Sequence, residues 1–114
     1  MTINEYQKDA LRTVESSKDG LSDNLRLLEG LLGLNGEAGE CIDLYKKYLF
    51  QGHKLDERHV ALELGDVAWY LAVAADAIGY DLETILRMNV DKRKARYPDG
   101  FDKNLSINRK PEDI

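Results

Sequence analysis

Residues 60–78 read VALELGDVAWYLAVAADAI, and their spacing decides the fold class. The stretch shows no strand-like alternation, and one set of its side chains recurs at the three- and four-residue intervals of a single helix face. That set is Val60, Glu63, Asp66, Val67, Tyr70, Ala74 and Ile78. Both prolines of the chain, Pro98 and Pro111, lie beyond this stretch, so everything before Pro98 is free to be helical. We therefore predict an all-α fold.

Capping residues and turn formers divide the chain into about four predicted helices. In chain order these helices run from Thr2 to about Ser17, from Ser22 or Asp23 to Gln51-Gly52, from Asp56 to Gly79, and from Asp81 to just before Pro98. Residues 18–20 (KDG) break the helical pattern after the first helix, and residues 97–101 (YPDGF) predict a turn. The prediction is a helical bundle over residues 1–101, followed by a polar tail over residues 102–114.

Glycines recur every third residue inside the predicted second helix, at Gly30, Gly33, Gly36 and Gly39. Each costs a helix about 1 kcal/mol relative to alanine. One interpretation is a broken helix or a loop between two shorter helices. The other is a small helix face that lets a neighbouring helix approach closely, and we favour it because the flanking leucines keep helical spacing.

Acidic residues interrupt the apolar stripe of two predicted helices. The second helix carries on one side Leu34, Glu37, Glu40, Cys41, Leu44 and Tyr48. Glu37 with Glu40, and Glu63 with Asp66, are therefore i, i+3 pairs whose Cβ atoms lie about 5–6 Å apart. Four buried carboxylates are unfavourable unless something neutralises them, and oxygen ligands suit Mg²⁺ or Mn²⁺. The alternative is that these acids lie on solvated faces and pair with lysines.

The inward side of the predicted fourth helix changes from apolar to polar and cationic. After Leu82, Ile85 and Leu86 that side continues as Asn89, Lys92, Arg93 and Arg96. These groups could bind the phosphates of a substrate, or they could simply extend into solvent at a helix end. Tyr70 lies one turn beyond Asp66 and could contact a sugar or base, although a core tyrosine is the alternative.

Composition excludes several classes of function. The net charge of −5 argues against a nucleic-acid binder, which normally carries a basic face. Cys41 is the single cysteine, so the chain can form neither an internal disulfide nor a CxxC metal site. The first residues show no secretory pattern, and the most apolar stretch, residues 67–78, is too short to cross a bilayer. A cytoplasmic protein without membrane contact is expected.

Several short motifs occur together and in order. They are residues 36–40 (GEAGE), 46–47 (KK), 63–71 (ELGDVAWYL), 89–92 (NVDK) and 96–101 (RYPDGF). With residues 4–7 (NEYQ), this series resembles the MazG-like nucleotide pyrophosphohydrolases over most of the chain. The resemblance implies an all-α homodimer or homotetramer. It also implies Mg²⁺-dependent hydrolysis of a nucleoside or deoxynucleoside triphosphate to monophosphate and pyrophosphate.

The resemblance also assigns residues by position. The metal ligands and catalytic acids it implies are Glu37, Glu40, Glu63 and Asp66, and the phosphate-binding residues are Asn89, Lys92 and Arg96. Lys47 is a further candidate for stabilising the leaving pyrophosphate, and Glu37 or Glu40 for orienting or deprotonating the attacking water. Many members begin the first motif with two adjacent glutamates, whereas Gly36 precedes Glu37 here, so one ligand or base of those members is absent.

Apolar residues cover nearly every side of the second helix, and four short helices cannot bury such a surface. Self-association is therefore expected, most often with two-fold symmetry. Phosphoribosyl-ATP pyrophosphohydrolase, a related enzyme of similar size, is an alternative function. A non-catalytic helical module that binds a partner through its leucines is another, and it would not need acids in the apolar stripes. A di-iron carboxylate bundle ranks low because the chain has no Glu-x-x-His spacing.

Overall fold

The computed structural model describes residues 1–14 and 22–113. The described residues form helices and no strand, which confirms the all-α prediction. The helices are α1 (Ile3–Leu11), α2 (Asp23–Phe50), α3 (Glu57–Ala77), α4 (Leu82–Arg96) and α5 (Lys103–Ile107). None of the helices in the described part of the chain has the length and apolar character to cross a membrane.

The capping residues named from the sequence begin three of the helices. Thr2 and Glu5 form the reciprocal capping box of α1, with hydrogen bonds of 2.7 and 3.1 Å. Ser22 Oγ accepts from the backbone N–H of Leu25 at the start of α2, and Asp56 Oδ1 accepts from that of His59 in α3. Gly52 and Gly79 follow α2 and α3 with φ of 70° and 79°, a conformation that favours glycine.

The first helix ends earlier than predicted, at Leu11 rather than near Ser17. The Thr13 hydroxyl donates to the Ala10 carbonyl at 2.9 Å, and the Thr13 backbone N–H bonds the same carbonyl, which tightens the chain into a turn. The predicted end at Ser17 and the interruption at 18–20 lie outside the described residues.

The segment after the 97–101 turn, predicted as a polar tail, contains the short helix α5. Asp102 Oδ1 accepts from the backbone N–H groups of Asn104 and Leu105, at 2.7 and 3.1 Å, and so caps α5. The expectation of about four helices is therefore corrected to five within residues 1–14 and 22–113. The turn itself forms as predicted, with Gly100 at φ 98°.

The chain divides into two compact units, Met1–Leu82 and Glu83–Ile114. In the first unit α2 and α3 form the main helix pair, and α1 packs on α3. Gly30 lies against Ala74 and Gly33 against Tyr70, so residue numbers rise along α2 as they fall along α3, and the helices are antiparallel. A Cβ on Gly33 would lie 2.0 Å from Cε1 of Tyr70, whereas one on Gly36 or Gly39 would meet nothing within 4 Å. The close-packing interpretation therefore holds for Gly30 and Gly33.

A small core fixes α1 to the end of α3. Ala10, Ala72 and Leu82 are buried together, and Tyr6, Trp69 and Leu71 pack around them. Gln7 is buried beside them: its Nε2 donates to the carbonyls of Ala72 and Tyr80, and its Oε1 accepts from the backbone N–H of Leu82 at 2.8 Å. One side chain thus forms hydrogen bonds with three backbone groups, and buried polar groups need such partners.

Candidate metal centre

Glu37, Glu63 and Asp66 converge where α2 passes α3. The antiparallel register that sets Gly33 against Tyr70 brings Glu37, one turn further along α2, beside Asp66 and Glu63, which lie one and two turns earlier on α3. One carboxylate oxygen from each of the three side chains lies within 4.8 Å of the others. Glu37 and Glu63 are half-buried and Asp66 is exposed, so the group opens toward solvent on one side.

The electrostatics of this acidic cluster (Glu37, Glu63 and Asp66) disfavour the ionised form of Glu37. Burial raises the pKa of Glu37, and the hydrogen bond with Glu63 and the charges of Glu63, Asp66 and Glu40 raise it further. A divalent cation would have the opposite effect, because it favours the ionised form of every ligand. Three converging oxygen donors with an open side form a ligand set that fits a hard cation with remaining positions for water or phosphate.

Glu40, the fourth expected ligand, is exposed and does not belong to the converging group. Its charge still contributes to the raised pKa of Glu37 and acts on Lys47. The structure therefore brings together three of the four predicted acids, and leaves the fourth one turn away along α2.

Lys47 is held by its own helix. Its Nζ lies 2.8 Å from Oδ2 of Asp43, while Nζ of Lys46 lies 3.0 Å from the other oxygen of the same carboxylate. These contacts lower the pKa of Asp43, and the hydrogen bond to Asp43 raises that of Lys47. A substrate would have to compete with Asp43 for the Lys47 ammonium group.

Tyr70 takes part in helix packing. Its ring lies against Gly33 of α2 and edge-on to Trp69, with ring centroids 4.9 Å apart. Trp69 in turn donates from Nε1 to the Thr13 hydroxyl at 2.9 Å. These contacts give Tyr70 a structural role in the α2–α3 pair, and contact with a sugar or base stays a prediction.

The remaining predicted residues lie in the second unit. Asn89 Oδ1 accepts from Arg93 Nε at 3.0 Å, one turn along α4. Arg96 binds both carboxylate oxygens of Asp113, from Nε at 2.5 Å and from Nη2 at 2.7 Å. Lys92 lines a cavity with Arg96 and Asp113. The guanidinium expected at a substrate phosphate is thus engaged by a carboxylate of the same unit.

Two residues near the acidic cluster were not singled out from sequence. His59 Nε2 lies 3.0 Å from Oε1 of Glu63, and its i, i+4 spacing on α3 could have revealed this contact. Tyr6 has a raised pKa because it is partly buried and because Asp66 and Asp9 are near. No local signal connects Tyr6 to Asp66, since they meet only where α1 packs on α3.

Comparison with known proteins adds two findings to this geometry. A family model described as the MazG nucleotide pyrophosphohydrolase domain matches residues 27–101. The Gene 37 protein of Mycobacterium phage L5 is 31% identical over 114 residues, covering 96% of this chain and 100% of that protein. No solved structure matches the chain. The matched family range contains every site residue predicted from the sequence and ends before Asp113.

Proposed function

Because the chain belongs to the MazG nucleotide pyrophosphohydrolase family, we propose that it hydrolyses a nucleoside or deoxynucleoside triphosphate to the monophosphate and pyrophosphate with Mg²⁺ as cofactor. The chain is a hydrolase of phosphoric anhydrides, and the metal, the substrate and the point of cleavage are the proposed part. The observation that supports the metal is the convergence of Glu37, Glu63 and Asp66 from two helices. Mn²⁺ has the same preference for oxygen ligands.

The proposed reaction is attack of water on the α-phosphorus. A divalent ion held by the acidic cluster would neutralise substrate charge and lower the pKa of the attacking water. Glu40 stands outside the converging set, so its carboxylate is free to accept the proton of that water. The new P–O bond forms as the bond from the α-phosphorus to the bridging oxygen breaks, and pyrophosphate leaves.

Asn89, Lys92 and Arg96 are proposed to bind the phosphates, as the family resemblance assigns them. Cations at these positions would stabilise negative charge that develops on the pyrophosphate as it leaves. Lys47 is a weaker candidate because Asp43 already holds its ammonium group.

The chain is further proposed to form a homodimer or homotetramer. Apolar side chains along α2 are at least 49% exposed in the single chain: Leu25, Leu28, Leu31, Leu32, Ile42, Leu49 and Phe50. Large apolar side chains exposed in this number along one helix are typical of an interaction surface, and a second copy is the simplest cover. A cytoplasmic location stays a prediction.

The decisive experiment is a panel of ribo- and deoxyribonucleoside triphosphates, with phosphoribosyl-ATP included, incubated with protein and Mg²⁺ in ¹⁸O-labelled water. We expect monophosphate and pyrophosphate as products, with the label in the monophosphate. Label in pyrophosphate, or release of orthophosphate, would move the point of attack away from the α-phosphorus. Preference for phosphoribosyl-ATP would select the alternative substrate.

A pair of variants ties this activity to the acidic cluster. Glu63→Gln should lower kcat about a hundredfold or more, because metal-ion catalysis is worth several kcal/mol and each 1.4 kcal/mol is about tenfold. Glu29→Gln, an exposed change on α2 outside the cluster, should leave kcat unchanged. Full activity of Glu63→Gln with an unchanged response to Mg²⁺ would overturn the assignment.

A further inference from the structure

The second unit contains a cavity of about 540 Å³ between α4 and the segment that follows the 97–101 turn. Its size is within the range of small-molecule sites. The charged residues that line it are four cations and two acids, namely Lys92, Arg96, Arg109, Lys110, Glu112 and Asp113. The cavity is therefore locally cationic, although the chain carries a net charge of −5.

The Asp113 carboxylate is already bound to the Arg96 guanidinium, the strongest anion-binding group of this cavity. Its two carboxylate oxygens face the guanidinium of Arg96 in a two-point contact, and both side chains are less than a fifth exposed. Arg109 Nη2 donates to the Asp113 carbonyl oxygen at 2.8 Å and holds the same residue from the other side. A guanidinium group donates to two phosphate oxygens in this geometry as readily as to the two oxygens of a carboxylate.

We propose that this cavity is a binding site for phosphate-bearing anions whose resident occupant is the Asp113 carboxylate, so that residues 108–113 act as an internal competitor for the ligand. The proposal rests on the proposed function in one respect, namely that Arg96 and Lys92 serve substrate phosphates. It adds Arg109 and Lys110 as further anion-binding groups and assigns a regulatory role to Asp113.

Exchange of the carboxylate for a phosphate ligand requires little rearrangement. Residues 108–113 follow the end of α5 and contain no regular helix, so their release breaks few backbone hydrogen bonds. Pyrophosphate carries more charge than one carboxylate and would meet four lining cations. Whether residues 108–113 or the ligand fills the cavity therefore depends on ligand concentration. Competition from residues 108–113 raises the ligand concentration that is needed to fill the cavity.

The first test is calorimetric titration of inorganic pyrophosphate into the whole chain, in chelator and without divalent metal. We expect Asp113→Asn to lower the Kd for pyrophosphate roughly fivefold, because the variant no longer forms the competing ion pair with Arg96. A partly exposed ion pair typically contributes a free energy that corresponds to a change in Kd of about this size. Asp99→Asn is the matched control, because it makes the same chemical change at an exposed residue outside the cavity. An unchanged or weaker affinity for Asp113→Asn, or equal gains for both variants, would overturn the proposal.

A second measurement needs no substitution, so it holds even if Asp113→Asn disturbs the fold of the tail. If pyrophosphate displaces the Asp113 carboxylate, the signals of Asp113 must change over the same pyrophosphate concentrations at which the site fills. In NMR titrations of the unaltered chain, the Arg96 Nε–H and Asp113 backbone N–H signals should shift together as pyrophosphate binds. Saturation with pyrophosphate while Asp113 stays unperturbed, or no binding of pyrophosphate, would refute the internal competition.

Turnover separates this proposal from the proposed function. If no nucleotide is hydrolysed but pyrophosphate still displaces Asp113, the anion site stands and the assigned reaction fails. If nucleotides are hydrolysed with the same KM in Asp113→Asn and in the unaltered chain, and pyrophosphate leaves Asp113 in place, the reaction stands and the internal competitor is refuted.

Discussion

Glu37 lies beside Glu63 and Asp66 with ligand oxygens inside 4.8 Å, in a position where burial and like charges both oppose ionisation. Such a group works against folding as long as no cation is bound, because the unfolded chain separates the three charges. The proposed metal ion would account for this arrangement, because it would favour the ionised carboxylates that the metal-free fold disfavours. Two predictions at the scale of single residues follow from this opposition.

The first concerns pH. The pKa of Glu37 is raised above its ordinary value of 4.5, so the folded chain holds this proton more tightly than the unfolded chain. Below pH 4.5 the group is protonated in both states, and its contribution is fully favourable there. The contribution is lost as the pH rises through the folded-state pKa. In metal-free buffer, Glu37→Gln should therefore match the unaltered chain in Tm at low pH and exceed it increasingly toward pH 7.

The control for that series is Glu29→Gln, whose Tm difference from the unaltered chain should not vary with pH in the same window. A Tm difference for Glu37→Gln that shrinks as pH rises would show that the Glu37 carboxylate is stabilised in the metal-free fold.

The second residue-scale prediction concerns Mg²⁺. A ligand that binds only the folded state at a hundred times its Kd stabilises that state by about 2.7 kcal/mol. Urea titrations of the unaltered chain at saturating Mg²⁺ should show a gain of this order. The same titrations of Glu63→Gln should show little gain, because one of the three converging carboxylates is gone. An equal gain in both proteins would place the ion elsewhere.

Helical periodicity predicted the four acids of the two helix faces, but it could not predict which three of them converge. Glu37 and Glu40 share a face of α2, so their spacing marks both, and only the register against α3 separates the converging acid from the exposed one. The contact of Asp113 with Arg96 could not be predicted from the sequence for a different reason. This contact spans 17 residues and depends on a turn after α5, where no periodic pattern exists.

At the scale of helices, the α2–α3 pair explains half of the glycine series. Gly30 and Gly33 are the positions where backbone and side chain of α3 approach, while Gly36 and Gly39 meet nothing. The sequence predicted one small face, because a period of three residues looks the same at all four positions. The difference arises because three residues fall short of a full helical turn, so the series drifts around α2 and its later members leave the face that meets α3.

Two alanine substitutions test that division. Gly36→Ala should raise the free energy of unfolding by about 1 kcal/mol, the usual gain in a helix interior. Gly33→Ala should lower it by about 1–3 kcal/mol, because the new Cβ would lie 2.0 Å from the Tyr70 ring and force it to move. Urea unfolding in metal-free buffer measures both. Stabilisation by both substitutions would mean that Tyr70 does not pack on Gly33.

Gln7 joins three elements at one point. Gln7→Met keeps the length of the side chain but removes the partners of the Ala72 and Tyr80 carbonyls and of the Leu82 N–H. Leaving a buried backbone group unpaired costs about 1–3 kcal/mol, so a loss of about 3 kcal/mol is expected in urea unfolding. Lys8→Met, at the exposed neighbouring position, is the control and should change stability by less than about 0.5 kcal/mol.

For the molecule as a whole, the buried interior is small compared with the apolar surface. The buried cluster of the described residues consists of Ala10, Ala72 and Leu82, whereas many apolar residues of α2, with Leu62 and Leu64 of α3, stay largely open. The sequence anticipated this, because a helix that is apolar on all sides has no solvated face. What the sequence could not indicate is which part of α2 the proposed second copy would cover, since apolar residues lie on several sides of that helix.

We expect the proposed second copy to pack on the concave surface of α2 that is lined by Gly39, Ile42, Asp43, Tyr45, Lys46, Leu49 and Phe50. Light scattering coupled to gel filtration, at micromolar concentration, should give the mass of a dimer or tetramer. Ile42→Glu should reduce that mass, because a charge buried in an apolar interface has no partner. Ile107→Glu is the control, since Ile107 is 79% exposed on α5 and lies outside this surface. A monomeric mass for the unaltered chain would leave the apolar surface of α2 without its proposed partner, and an unchanged mass for Ile42→Glu would move the interface to another side of the helix.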